Sequence, residues 1–285
     1  MTKMHGIGND YVYVDCRERD VPDPPGIPRL ARAVSRRHHG IGADGLILVR
    51  PSAAADCRME MYNADGSRGE MCGNGIRCVA KYVYDRGLTR NPMRVDTDDG
   101  VKTLTLTLDA AGRVSGATVD MGPPMLDGPR IPVASEGRVI DQPLEVAGMS
   151  WNVTCVSMGN PHCVVFVPDV ESLDLERIGP RFEHHPFFPK RVNTEFVAVR
   201  SPTALDFRVW ERGSGETMAC GTGACAALVA AVLTGRSARR ATIHLRGGDL
   251  DVEWRADDHV LMTGAAAEVF TADVDLDQLL AAAHT

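Results

Sequence analysis

Two cysteines in this chain stand where a thiol could move a proton. Cys72 and Cys220 each precede a glycine-rich turn, Gly73-Asn74-Gly75 and Gly221-Thr222-Gly223, and each turn opens an apolar run with helical spacing. A helix N-terminus carries unpaired N–H groups and a partial positive charge. A thiol placed there is expected to lose its proton more easily, and an anion is expected to dock on the neighbouring amides. Glycines at 73, 75, 221 and 223 keep side chains out of the way of such an anion.

One cysteine of this kind reads as a capped, buried thiol. The reading changes because the two are related by a repeat. They are 148 residues apart, and the same shift lays Gly73 on Gly221, Gly75 on Gly223, Gly87 on Gly235, Gly100 on Gly248 and Gly116 on Gly264. It also lays Asn63 on Glu211, and with small adjustments Asn9 falls on Asn160 and Ala43 on Asn193. A register kept across both halves marks duplication of one ancestral domain.

Duplication supplies what inversion at an amino-acid α-carbon requires. A base must remove hydrogen from one face and an acid must return it on the other, and the two groups should be alike because the reaction runs both ways. The developing negative charge would spread into a carboxylate held by backbone amides, so no electron-sink cofactor is called for.

The elements that must position these residues follow from local pattern. Val12 to Val14, Leu46 to Val49 and Arg58 to Tyr62 are short β-favouring runs bounded by Gly, Pro or Asp. After Cys72, residues Ile76, Val79, Ala80 and Val83 recur at helical spacing up to Gly87. VKTLTLTLD and DLDVEWRAD alternate apolar and polar residues, as half-buried antiparallel strands do, and Gly247-Gly248 suits a hairpin turn before the second. The expected fold is α/β (α+β) with two pseudo-symmetric lobes. Each is a mainly antiparallel sheet or barrel around one central helix, with the active site in the cleft between them. The expected lobes are 1–122 and 123–267, with the tail 268–285 packing back on the first. VPDPPGIPR reads as a proline-rich loop without function.

Bulk composition narrows the class. The 285 residues are 44% hydrophobic and 24% charged, ordinary for a globular enzyme. A formal net charge of -7 offers no basic footprint for nucleic acid. No apolar run reaches the ~20 residues that cross a bilayer, and the first residues lack a signal peptide's pattern, so a cytoplasmic location is expected. In a reducing compartment the eight cysteines are expected to be free thiols, and none shows CxxC spacing. Cys78 and Cys225 lie further into their helices and are assigned to packing. His38-His39 and His184-His185 lack accompanying ligands and read as loop residues, so no metal is expected.

At these residues the chain resembles the diaminopimelate epimerases over nearly its whole length. The matching stretches are KMHGIGNDYV, GIGADGLILV, YNADGSRGEMCGNGIRC, MGNPHCVVFV, RVNTEFV and VWERGSGETMACGTGACA. The resemblance implies that Cys72 and Cys220 are the two catalytic thiols, with His162 and Glu211 orienting or deprotonating them. It implies that amides of Gly73, Asn74, Gly221 and Thr222 hold the reacting carboxylate. It further implies that Asn9, Asn63, Asn160, Asn193, Glu211 and Arg212 grip the distal amino-acid group. That set suits its task, since Arg212 can pair with a carboxylate and the amides and Glu211 can serve an ammonium.

The implied reaction is conversion of LL-diaminopimelate to the meso form, towards lysine and peptidoglycan precursors, by a homodimer without cofactor. Many members have Phe-Asp-Gln where this chain has Ala43-Asp44-Gly45, so an amide of the usual pocket is missing. Two other readings remain. A racemase of the same fold acting on a different amino acid would leave the asparagines and Arg212 unpaired. A non-catalytic amino-acid-binding protein would have no use for matched thiols.

Overall fold

The computed structural model describes residues 1–21, 26–69, 71–88 and 90–282. Residues 22–25 of the proline-rich stretch and 283–285 of the tail lie outside them. The chain divides into two compact units, one of residues 1–119 with 264–285 and one of residues 120–263.

The first unit runs β1 (Thr2–Gly6), β2 (Asn9–Asp15), α1 (Ile27–Ser35), β3 (Gly45–Arg50), β4 (Cys57–Asn63), β5 (Arg68–Gly69), α2 (Gly73–Asp85), β6 (Met93–Thr97), β7 (Gly100–Leu108) and β8 (Val114–Asp120). The second runs β9 (Gln142–Val146), β10 (Met149–Ser157), β11 (Pro161–Phe166), α3 (Leu175–Glu183), β12 (Asn193–Ser201), β13 (Ala204–Glu211), β14 (Gly215–Glu216), α4 (Gly221–Leu233), β15 (Arg240–Leu245), β16 (Gly248–Trp254) and β17 (Val260–Ala265). The chain then returns to the first unit with β18 (Ala267–Thr271) and α5 (Leu276–Ala282).

Strand pairing repeats in the same order in both units. In the first, β1–β2 is antiparallel, β2–β3 parallel, β3–β4 antiparallel, β4–β6 parallel and β6–β7 antiparallel. In the second, β10–β11 is antiparallel, β11–β12 parallel, β12–β13 antiparallel, β13–β15 parallel and β15–β16 antiparallel. Parallel neighbours need a long crossover. The crossovers carry α1 and α2 in one unit and α3 and α4 in the other.

Each unit therefore has a second helix beyond the single central one expected. Local composition hides both. The α1 segment starts with Gly26 before it and Pro at its N-terminus, a permitted start that reads as loop from sequence. The α3 segment contains Pro180.

The central helices are buried along most of their length. Apart from Thr222 and the capping end, α4 is built of Gly, Ala, Val, Leu and Cys, and a helix apolar on every side is stable only when covered on every side. Strands β10, β11, β12, β15 and β16 of its own unit pack around it. Around α2 the same is done by β1, β2, β6, β7 and β18.

A second layer lies outside the strands. In the second unit Trp151, Phe182 and Phe196 meet edge to face at centroid distances of 5.5 to 6.2 Å, joining α3 to β10 and β12. In the first unit α1 packs Leu30, Ala31 and Val34 with Leu46 and Leu48, and Leu276 and Leu279 of α5 lie against this cluster. Among the described residues no helix is long and apolar enough to cross a membrane.

Candidate active site

Both cysteines cap their helices with the same backbone. Cys72 has φ -126° and ψ 114°, and Cys220 has φ -123° and ψ 110°. Each sulfur accepts the amide three residues on, Gly75 N to Cys72 Sγ at 3.3 Å and Gly223 N to Cys220 Sγ at 3.4 Å. The extended conformation of the cap turns the thiol back over the first helical turn, which satisfies one orphan donor.

Around Cys72 the neighbours come from strands and from the helix itself. The thiol donates to Asn9 Oδ1 at 3.3 Å, and Asn9 Nδ2 donates to Asp44 Oδ2 at 2.8 Å. Asp44 also accepts the Asp10 amide at 3.1 Å and pairs with Arg37 at 2.9 Å, although burial pushes its carboxyl up. From below, the fully buried Arg77 donates to Gly73 O at 3.0 Å, Asn74 Oδ1 at 2.8 Å and Ala265 O at 3.2 Å. Arg77 thus ties the glycine-rich turn to Ala265, which belongs to the same unit. Tyr13 adds a bond to Gly75 O at 3.3 Å. Asn63 closes its own turn instead, donating to Ser67 Oγ at 3.0 Å.

Around Cys220 the neighbouring charges are carboxylates. Cys220 is 4% exposed, and its sulfur lies 3.5 Å from Thr222 Oγ1. Burial, then the carboxylates of Glu211 and Glu195, push this thiol well above its ordinary value. The expected lowering by the helix terminus is reversed here. The opposing contributions of Thr222 and the Gly223 amide are real but smaller, because desolvation penalises a thiolate directly. In the free protein Cys220 is therefore a protonated thiol.

Glu211 ends β13, and its Oε1 accepts the hydroxyl of Thr217. Its turn is held by Glu183 at the end of α3, which accepts Gly213 N at 2.9 Å and Trp210 Nε1 at 2.8 Å. Gly179 makes this approach possible, since a Cβ there would meet the Trp210 ring at 2.3 Å.

His162 and Asn193 are each held by partners within the second unit. His162 Nδ1 lies 2.7 Å from Glu195 Oε1 and its Nε2 lies 2.9 Å from Asn160 Oδ1. Asn193 is buried, with Nδ2 on Pro161 O and Oδ1 accepting Arg212 N, both at 2.9 Å. It orders the backbone that carries Arg212. The Arg212 guanidinium is exposed and meets Lys190 O at 3.3 Å, with no carboxylate partner among the described residues. Cys78 and Cys225 are fully buried, and burial pushes Cys78 up to about 11. Among the described residues no cluster of His, Cys, Asp and Glu could hold a metal ion.

The diaminopimelate epimerase profile matches residues 1–126 and 154–269. The chain belongs to the diaminopimelate epimerase family. The family member from Acetivibrio thermocellus is 55% identical over 281 residues, covering 98% of this chain and 99% of its own. That of Moorella thermoacetica is 55% identical over 278 residues, covering 96% and 99%. The fold extends beyond the family. A probable proline racemase from Agrobacterium radiobacter K84 has a TM-score of 0.72 at 16% identity, covering 97% of this chain and 92% of its own. A hydroxyproline epimerase from Agrobacterium vitis has a TM-score of 0.64 at 16% identity, covering 100% and 97%.

Against this family background, Gly45 has a local cause. A Cβ at Gly45 would lie 2.2 Å from Tyr62 O and 2.8 Å from Cε1 of Tyr11, so this backbone admits no side chain there. Sequence reasoning missed Asp44, Arg77 and Glu195 as parts of the site. The signal available was a charged residue inside an apolar element, as in the α2 run GNGIRCVAKYV and the β12 run NTEFVAV.

Proposed function

We propose that this isomerase interconverts LL- and meso-diaminopimelate by moving the α-hydrogen between Cys72 and Cys220, which act from opposite faces of the α-carbon. The observation that carries this reading is the pair of cysteines capping equivalent helices with equal backbone geometry. Cys220, kept protonated by burial and by its carboxylate neighbours, is the proton donor of the resting protein. Cys72 serves as the base once its thiol proton, given to Asn9 Oδ1 in the resting protein, has left to solvent, and the next turnover in the reverse direction exchanges the roles.

The amides of Gly73, Asn74, Gly221 and Thr222 receive the reacting carboxylate, where helix termini favour the enolate-like charge that develops. Arg77 supports this from the first unit by fixing the Gly73-Asn74 turn. Arg212, held by Asn193, takes the distal carboxylate, and Asn9, Asn63, Asn160 and Glu211 complete the recognition of the distal group. The product would feed lysine and peptidoglycan precursor synthesis.

A direct test is α-hydrogen exchange in deuterated solvent, with diaminopimelate beside several ordinary amino acids. Wild-type protein is expected to label diaminopimelate selectively, and Cys72→Ala and Cys220→Ala are each expected to lose at least about 1,000-fold in epimerisation. Full activity in either variant would end the two-thiol mechanism. Preferential labelling of another amino acid would transfer the assignment to a racemase of the same fold.

A further inference from the structure

Glu195 lies on β12 beside His162 of the parallel neighbour β11, on the same face of the sheet. Both side chains are 0% exposed, and the Oε1–Nδ1 distance is 2.7 Å. On its other side, Oε1 sits 2.8 Å from the point a Cβ on Gly223 would occupy, and Cys220 Sγ is 3.2 Å from the same point. Glu195 therefore fills the space behind the first turn of α4 that the glycine leaves open.

We propose that Glu195 is a positioning residue, which shares a buried proton with His162 and thereby locks the Asn160 carboxamide with its oxygen inward and its NH2 outward. The inference rests on the proposed function for what Asn160 then does. Its structural part stands without it.

The argument is a count of protons. Nε2 of His162 faces an oxygen, Asn160 Oδ1 at 2.9 Å, so Nε2 carries hydrogen. One more proton lies between Nδ1 and Oε1. Whether it sits on nitrogen or oxygen, the couple has zero net charge, which is what a fully buried pair tolerates best. Burial pushes the Glu195 carboxyl up, which favours keeping that proton within the couple. In either placement Nε2 keeps its hydrogen, and His162 donates to Asn160.

The order of donors decides what Asn160 offers. With Oδ1 engaged inward, its NH2 group is presented outward as a donor for a carboxylate oxygen. If Glu195 could no longer share that proton, His162 would take its hydrogen on Nδ1. Asn160 would then have to turn its NH2 inward to the bare Nε2 and present its oxygen, which repels a carboxylate.

Two substitutions separate these states. In Glu195→Gln the amide still donates to Nδ1, so the His162 tautomer and Asn160 orientation persist. In Glu195→Met the thioether can only accept, so the Nδ1–H tautomer is favoured in a side chain of similar length. The readouts are the 15N shifts of His162 in ligand-free full-length protein, and KM and kcat for diaminopimelate. Wild type and Glu195→Gln are expected to show protonated Nε2, with KM values within about threefold of each other. Glu195→Met is expected to show bare Nε2 and to raise KM about tenfold or more, as for loss of a hydrogen bond to a charged group, with kcat less affected.

A wild-type His162 with bare Nε2 would overturn the proposal, as would a Glu195→Met variant with wild-type tautomer and KM. If Glu195→Met fails to fold, the wild-type tautomer and the Glu195→Gln pair still decide it. If the wild type has no activity on diaminopimelate, the functional reading fails, and the tautomers of the ligand-free proteins still test the proton-sharing couple.

Discussion

The carboxamide of Asn9 bridges the Cys72 thiol and the Asp44 carboxylate, with its oxygen 3.3 Å from Sγ and its nitrogen 2.8 Å from Oδ2. Asp44 also binds the Asp10 amide, so it fixes both the side chain of Asn9 and the strand that carries it. The orientation of the thiol is thus set two bonds away from the sulfur.

Asp44→Ala should release Asn9 while leaving Cys72 in place. Small errors in the position of a reacting group cost about 100-fold in rate, so kcat for epimerisation is expected to fall by roughly 10- to 100-fold. Thermal unfolding of the variant controls for a general loss of structure. Unchanged kcat in a folded variant would remove Asn9 from the orientation of the thiol.

The two glycine turns should respond differently to the same substitution. A Cβ at Gly75 meets Cδ1 of Ile47 at 2.7 Å, the free end of a flexible side chain. A Cβ at Gly223 meets Glu195 Oε1 at 2.8 Å, and that oxygen is pinned to His162. Gly223→Ala is expected to destabilise by about 1–3 kcal/mol, as overpacking does. Gly75→Ala is expected to cost less than about 1 kcal/mol, offset in part by the better helix propensity of alanine. Urea titration of both variants checks the difference, and equal losses would contradict it.

Stability should fall in alkali because several thiols are buried. Burial pushes Cys78 up to about 11 and Cys57 up to about 12. Their folded-state values lie above those of the unfolded chain, near the ordinary 9.0. Below about pH 8.5 these thiols are protonated in both states and their stabilising contribution is complete. As pH rises further the unfolded chain releases protons that the folded chain keeps, and stability is lost until the folded thiols ionise in turn. Each thiol contributes about 1.4 kcal/mol per pH unit across that window. Urea unfolding between pH 8 and pH 10.5 is expected to show this slope, and Cys57→Ala is expected to reduce it by one thiol's share. A flat profile would show that the buried thiols do not govern alkaline stability.

Much of the architecture can be read along the chain because the signals are local or repeated. The register of Gly73, Gly75, Gly87 and Gly100 against Gly221, Gly223, Gly235 and Gly248 marks a duplication. The alternation in β7 and β16 marks strands, and the apolar run after each cysteine marks a helix. The crossovers α1 and α3 escape this reading, since one begins beside prolines and the other contains one.

The sequence by itself determined that two equivalent cysteines cap two equivalent helices, because capping depends on residues within one turn of each other. Only the tertiary structure decided the electrical surroundings of those cysteines. Arg77 reaches Ala265 of its own unit, far along the chain, and Glu195 and Glu211 reach Cys220 from β12 and β13. A helix terminus acts over a few ångströms of contiguous backbone, whereas burial and the carboxylates around Cys220 depend on which distant strands fold against it. That is why the local reading gave its thiol the wrong sign.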